Sequence, residues 1–176
     1  MMHLAVAVND RSGDMIPIVV SLFTWAKAWH VELIFGDGVT ISASPEQVGY
    51  RTAHYGRYKW VLVPLPQISE EDEQQIRDLA DDIAIRNPKY DYLGAILGRL
   101  VPTAQDSNKW YCSELCRYLL KSKIPSLDDK KWITPDRLWR IVVDDVHKTH
   151  PELVDAKTIV NSVYPVQAVE VPVKTK

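Results

Sequence analysis

Cys112 stands in the run Lys109-Trp110-Tyr111-Cys112-Ser113-Glu114-Leu115-Cys116. A thiol becomes a strong nucleophile once it loses its proton, and both the positive end of a helix and a neighbouring imidazole favour that loss. From Trp110 onward Cys112, Leu115, Cys116, Leu119 and Leu120 share one helical face, so either cysteine could simply fill the core. Cys116, in mid-helix among leucines, is read that way. Cys112 falls in the first turn, where backbone N–H groups lack helical partners and can also hold an oxyanion. Far upstream, Trp29-His30-Val31-Glu32-Leu33-Ile34-Phe35 reads as a strand. A histidine alone in such a strand is ordinarily a buried ring satisfied by a carbonyl. Two-residue alternation, however, turns His30 and Glu32 to one face and Val31, Leu33 and Phe35 to the other. A thiol, a base and a carboxylate are the parts of a nucleophilic acyl-transfer site, if the fold unites them.

The elements that must do so follow from local signals. Residues 4–8 read as a strand. A helix capped by Asp14, with Pro17 in its first turn and Ile18, Leu22, Phe23, Trp25, Ala26 and Trp29 apolar, delivers the chain to His30. Gly36-Asp37-Gly38 predicts a hairpin between residues 30–35 and 39–43. A three-residue loop with left-handed Gly38 puts Ser42 opposite Glu32 and Ser44 opposite His30, whereas a two-residue turn moves both serines to the other face. The first register surrounds His30 with polar groups and is preferred. Residues 44–56, with Tyr50, His54 and Tyr55, read as a long polar loop, and residues 57–65 as a third strand ended by Pro64 and Pro66.

Ser69 with Asp72 three residues on is a capping box for a helix striped by Ile76, Leu79, Ala80 and Ile83 and stopped at Asn87-Pro88. Helices are also expected over residues 91–100, from near Trp110 to before Pro125, and after the Thr134-Pro135-Asp136 cap, with a loose edge strand over residues 166–173.

The chain of 176 residues, 46% hydrophobic and 25% charged, is read as one domain, residues 1–176. A net charge of -2 provides no footprint for nucleic acid. Two cysteines one helical turn apart are poorly placed for a mutual disulfide and fit a reducing compartment. No signal peptide or transmembrane segment is recognisable, so a cytoplasmic protein without membrane anchor is expected. His147, His150, Asp144 and Asp145 cluster in sequence but read as a solvated helix end, so no metal and no cofactor is expected.

His30-Val31-Glu32-Leu33 with Gly36-Asp37-Gly38, Ile41-Ser42-Ala43-Ser44-Pro45, Lys89-Tyr90-Asp91-Tyr92-Leu93-Gly94 and Trp110-Tyr111-Cys112-Ser113-Glu114, in that order, resemble the circularly permuted branch of the papain-like, NlpC-type cysteine peptidases and amidases, especially small bacteriophage-encoded members. The resemblance covers residues 28–142. Ordinary papain-like enzymes carry the cysteine helix before the histidine strand, and here it follows.

The resemblance implies an α+β fold, a small antiparallel sheet with helices packed on it, circularly permuted. It also implies a cysteine hydrolase with Cys112 as nucleophile and His30 as base. Relatives often place the group that orients the imidazole on the strand after the histidine; that strand offers Ser42 here, so the third member stays open between Glu32 and Ser42. Trp110, Tyr111 and Trp29 flank the reactive pair as candidate pocket walls, with core packing equally open to each. The substrate class is a peptide or amide, such as a peptidoglycan stem peptide or a host protein. The rivals are a lipid acyltransferase or thioesterase on the same scaffold, and a non-catalytic interaction protein that retains the cleft.

Overall fold

The computed structural model describes residues 1–8, 27–52, 59–97, 108–128 and 132–153. The expected helix after Asp14 and the expected strand at 166–173 lie outside the described residues. The fold is α+β, with helices on a five-stranded antiparallel sheet.

Strand β1 (His3–Val8) pairs on one side with β2 (Ala28–Ile34) and on the other with β5 (Lys59–Pro64); β3 (Thr40–Ala43) follows β2, and β4 (Val48–Arg51) forms the far edge, in the order β4-β3-β2-β1-β5. The β2–β3 hairpin closes as the three-residue loop: Phe35 N donates to Val39 O at 2.8 Å, Gly38 N donates to Phe35 O at 2.9 Å, and Gly38 takes φ 85°, a left-handed value natural to glycine. Leu33 then pairs with Ile41 and Ile34 with Thr40, and beyond that pairing the Ser42 hydroxyl meets the His30 ring.

One sheet face is apolar. Leu4, Val6, Val31, Leu33, Ile41, Ala43 and Val63 join Leu115, Leu119, Leu138 and Val142 in the main core. Those last four come from α3 (Cys112–Leu120), which packs on β2 and β3, and α4 (Pro135–Thr149), which packs on β2 and β1. Between β5 and these helices run α1 (Glu70–Ile85), β6 (Lys89–Tyr90), α2 (Tyr92–Leu97) and β7 (Lys109–Trp110). The Ser69–Asp72 capping box starts α1, and the Thr134 side chain accepts the Arg137 N–H to start α4, as the sequence predicts.

The expected loop at 44–56 contains a strand instead. After the Ser44–Gln47 turn, Val48 and Tyr50 face the core, and Gly49 and Arg51 take the alternate positions of β4. The tyrosines and charged residues there read as loop until β3 offers its edge. Trp110, expected as a helix start, lies in β7, which pairs in parallel with β6 and delivers the chain to α3.

Candidate active site

His30 and Glu32 sit two residues apart on β2, flanked across β1 by Ala7 and Ala5. Alanine at both positions leaves room for the ring and the carboxylate. Beside Ala7 on its other neighbour stands Trp60, whose ring meets the His30 ring edge-on with centroids 6.0 Å apart. The β1–β2 register slips by one between Ala7/His30 and Val8/Ala28, so Trp29 is an extra residue; its ring lies 5.6 Å from that of His30. Such a bulge re-aims a side chain beside a site.

Cys112 is the first residue of α3, after Tyr111 at the N-cap, and it is 5% exposed. The Ser113 hydroxyl donates to Ile133 O at 2.8 Å and ties this helix start to the segment before α4. His30 and Cys112 lie close enough for ring and thiol to act directly on each other, and the N–H groups of Val31 and Ser113 lie beside the sulfur. His30 Nε2 lies 3.1 Å from Ser42 Oγ and 3.7 Å from Glu32 Oε2. Cys112, His30, Glu32 and Ser42 therefore meet at one place.

The electrostatics of this group oppose its burial. Burial disfavours a Cys112 thiolate, but the charge and hydrogen bond of His30 and the two backbone N–H groups outweigh it and hold the thiol below its ordinary range. Burial likewise opposes a charged His30, yet Cys112 and then Glu32 push its pKa up to about 9. Glu32, entirely buried, is kept ionised against burial by His30 and by Arg51. Cys116 contrasts: burial, with the charges of Cys112 and Glu32, drives its thiol well up. Iodoacetamide at about pH 6.5 is therefore expected to label Cys112 and leave Cys116 untouched, as read by mass spectrometry of the digested protein. Equal slow labelling of both would show that no thiolate forms.

Two groups of the site come from elements the sequence did not relate. Tyr90 is brought next to Trp110 by the β6–β7 pair, and its phenol is held neutral by burial and by the charge of Cys112. Arg51 reaches Glu32 from β4, Nε to Oε2 at 2.9 Å with Nη2 on the same oxygen. The alternation Val48-Gly49-Tyr50-Arg51 was the available signal for the second. Of the expected pocket walls, Trp29 borders His30, Tyr111 is buried at the helix start, and Trp110 is turned into the core against Tyr118, centroids 5.1 Å apart. Among the described residues no three His, Cys, Asp or Glu side chains gather to hold a metal ion.

Glu114, at the third position of α3, turns its carboxyl back toward the Tyr111 N–H at the helix start. Burial, reinforced by Asp91, pushes its pKa up to about 7. The unfolded chain loses this proton near pH 4.3 while the folded chain keeps it, so folded protein binds more protons in between. Stability accordingly falls as pH rises from about 4.5 to about 7 and stays lower above. Glu114→Gln, which keeps an acceptor for Tyr111, is expected to raise the melting temperature by roughly 5 °C at pH 8 and to change it little near pH 4. An equal gain at both pH values would assign the effect to packing.

Neither family models, curated proteins nor solved structures produce a match to this chain. The site's chemistry rests on its own geometry.

Proposed function

We propose that this protein is a cysteine-dependent acyl hydrolase, a peptidase or amidase of circularly permuted papain-like fold. The observation that carries the reading is the meeting of His30 with Cys112, the first residue of α3, with His30 Nε2 facing Ser42 and Glu32. The histidine strand precedes the cysteine helix in the chain, the order expected of the permuted branch.

In this reaction His30 holds the Cys112 proton and the thiolate attacks the substrate carbonyl carbon, forming a C–S bond as the carbonyl electrons move to oxygen. Helical N–H groups at the start of α3 stabilise that oxyanion, and the neutral Tyr90 phenol, close enough to feel the Cys112 charge, is a further donor. His30 then protonates the amine as the C–N bond breaks, leaving an acyl thioester. A water molecule gives its proton to His30 and attacks the thioester; the acid leaves and the thiolate–imidazolium pair returns.

The substrate follows as a peptide or amide, a peptidoglycan stem peptide or a host protein, and the place of action as cytoplasmic; among the described residues no helix is long and apolar enough to cross a membrane. The test is acylation by three probe sets, stem-peptide amides, peptidyl ketones and lipid thioesters, with the adduct mapped by mass spectrometry. A peptide or amide adduct on Cys112, lost in Cys112→Ala, supports the reading. Reaction confined to the lipid thioester makes the protein a lipid thioesterase or acyltransferase, and no adduct from any probe makes it a binding protein.

A further inference from the structure

The guanidinium of Arg51 places two donors on a single oxygen of Glu32, Oε2, while Oε1 is buried with no hydrogen-bond partner among the described residues. Oε2 is also the oxygen turned to His30 Nε2, from which it stays 3.7 Å away, whereas Ser42 Oγ stands at 3.1 Å. A carboxylate free to serve a histidine closes to about 2.7–2.9 Å. The planar fork of an arginine resists such movement, because both donors must let go together. We infer that Arg51 is a positioning residue that holds the Glu32 carboxylate back from His30, so that Ser42 takes the Nε2–H and Glu32 acts on the ring through its charge. The inference rests on the hydrolase reading and deepens it.

The placement on β4 suits that role. The Arg51 side chain is 26% exposed, so its own charge stays solvated, while Glu32 is fully enclosed and depends on it. Glu46, from the turn before β4, faces Arg51 and His30; Cys116 from α3 faces Glu32 and Cys112; and Tyr90 from β6 and Tyr111 at the start of α3 face Cys112. Arg51 neutralises part of the Glu32 charge and holds it back from the ring; without Arg51 the carboxylate closes on His30 with its full negative charge, which favours the imidazolium and disfavours the thiolate. Removing Arg51 should raise the pH at which each group loses its proton.

Wild type, Arg51→Met, Glu32→Gln and the double variant are alkylated with iodoacetamide from about pH 4 to about pH 10, with the rate at Cys112 read by mass spectrometry and the fold checked by circular dichroism. The wild-type profile should show two transitions, thiolate formation and later loss of the His30 proton. Arg51→Met should shift both upward by about one pH unit, so that on the first rise the rate falls about tenfold at fixed pH. The double variant should match Glu32→Gln within a few tenths of a unit, because Arg51 works through Glu32. A mere charge-balancing role in folding would lower stability and leave the transitions in place.

Folded Arg51→Met superposing on wild type overturns the inference, and so does a double variant displaced from Glu32→Gln by the full unit. If Arg51→Met does not fold, the double variant against Glu32→Gln decides alone, since it buries no unpaired charge. A wild-type Cys112 that titrates once, near the ordinary thiol value of about 8.5, overturns the hydrolase reading and the inference with it. Two wild-type transitions with unmoved variants overturn the inference only.

Discussion

His30→Gln is expected to slow acylation of Cys112 by about 10³-fold at about pH 7 without unfolding the protein. The imidazole does two things there, accepting the thiol proton and stabilising the thiolate by its charge. Burial pulls the Cys112 thiol upward, so with the ring gone nothing of comparable strength opposes that pull except the N–H groups of Val31 and Ser113. Glutamine fits between Trp29 and Trp60 and can still meet Ser42, so the fold should survive. Burst kinetics with an acyl probe, normalised to folded protein, measure the loss. Part of the rate should return near pH 10, where the thiol ionises unaided. A variant within tenfold of wild type across the range would remove His30 as the base.

What the sequence made legible here was local, and so was its chemistry. Gly36-Asp37-Gly38 defines a loop length, the loop length defines the register, and the register turns Ser42 to the side of His30 and Glu32. The caps at Ser69 and Thr134 are likewise bonds between residues three apart. Alternation placed His30 and Glu32 together before any fold was considered, and the start of α3 made Cys112 different from Cys116. The missing parts depend on contacts that no window of residues contains. Strand β4 exists because β3 presents a free edge, and only that pairing turns Arg51 toward Glu32 from 19 residues away in sequence. Tyr90 approaches Cys112 through a two-residue parallel pair with β7, a pattern too short to read as strand. The bulge that brings Trp29 beside His30 is a slip in pairing with β1, and its sequence carries no mark of it.

Glu32→Gln should cost about 10²-fold or more in acylation rate, and Ser42→Ala less than about tenfold, although distance ranks the two the other way. Ser42 is the nearer partner of His30 Nε2, at 3.1 Å against 3.7 Å for Glu32. A neutral hydroxyl accepting one hydrogen bond contributes about 0.5–1.5 kcal/mol, which bounds its effect near tenfold. The carboxylate acts by charge, and charge reaches 3.7 Å with little loss where both groups are buried. Its target is the imidazolium that persists from thiolate formation until the leaving amine takes the proton, so the stabilisation applies where the barrier lies. Folding should tolerate the change, because the Arg51 guanidinium that loses its partner is 26% exposed and can turn to water. Single-turnover acylation of both variants, corrected for the folded fraction, separates the roles. The reverse ranking would make Ser42 the orienting group and Glu32 a structural counter-ion of Arg51. Near-wild-type rates in both would mean that the contacts with Trp29 and Trp60 alone fix the ring.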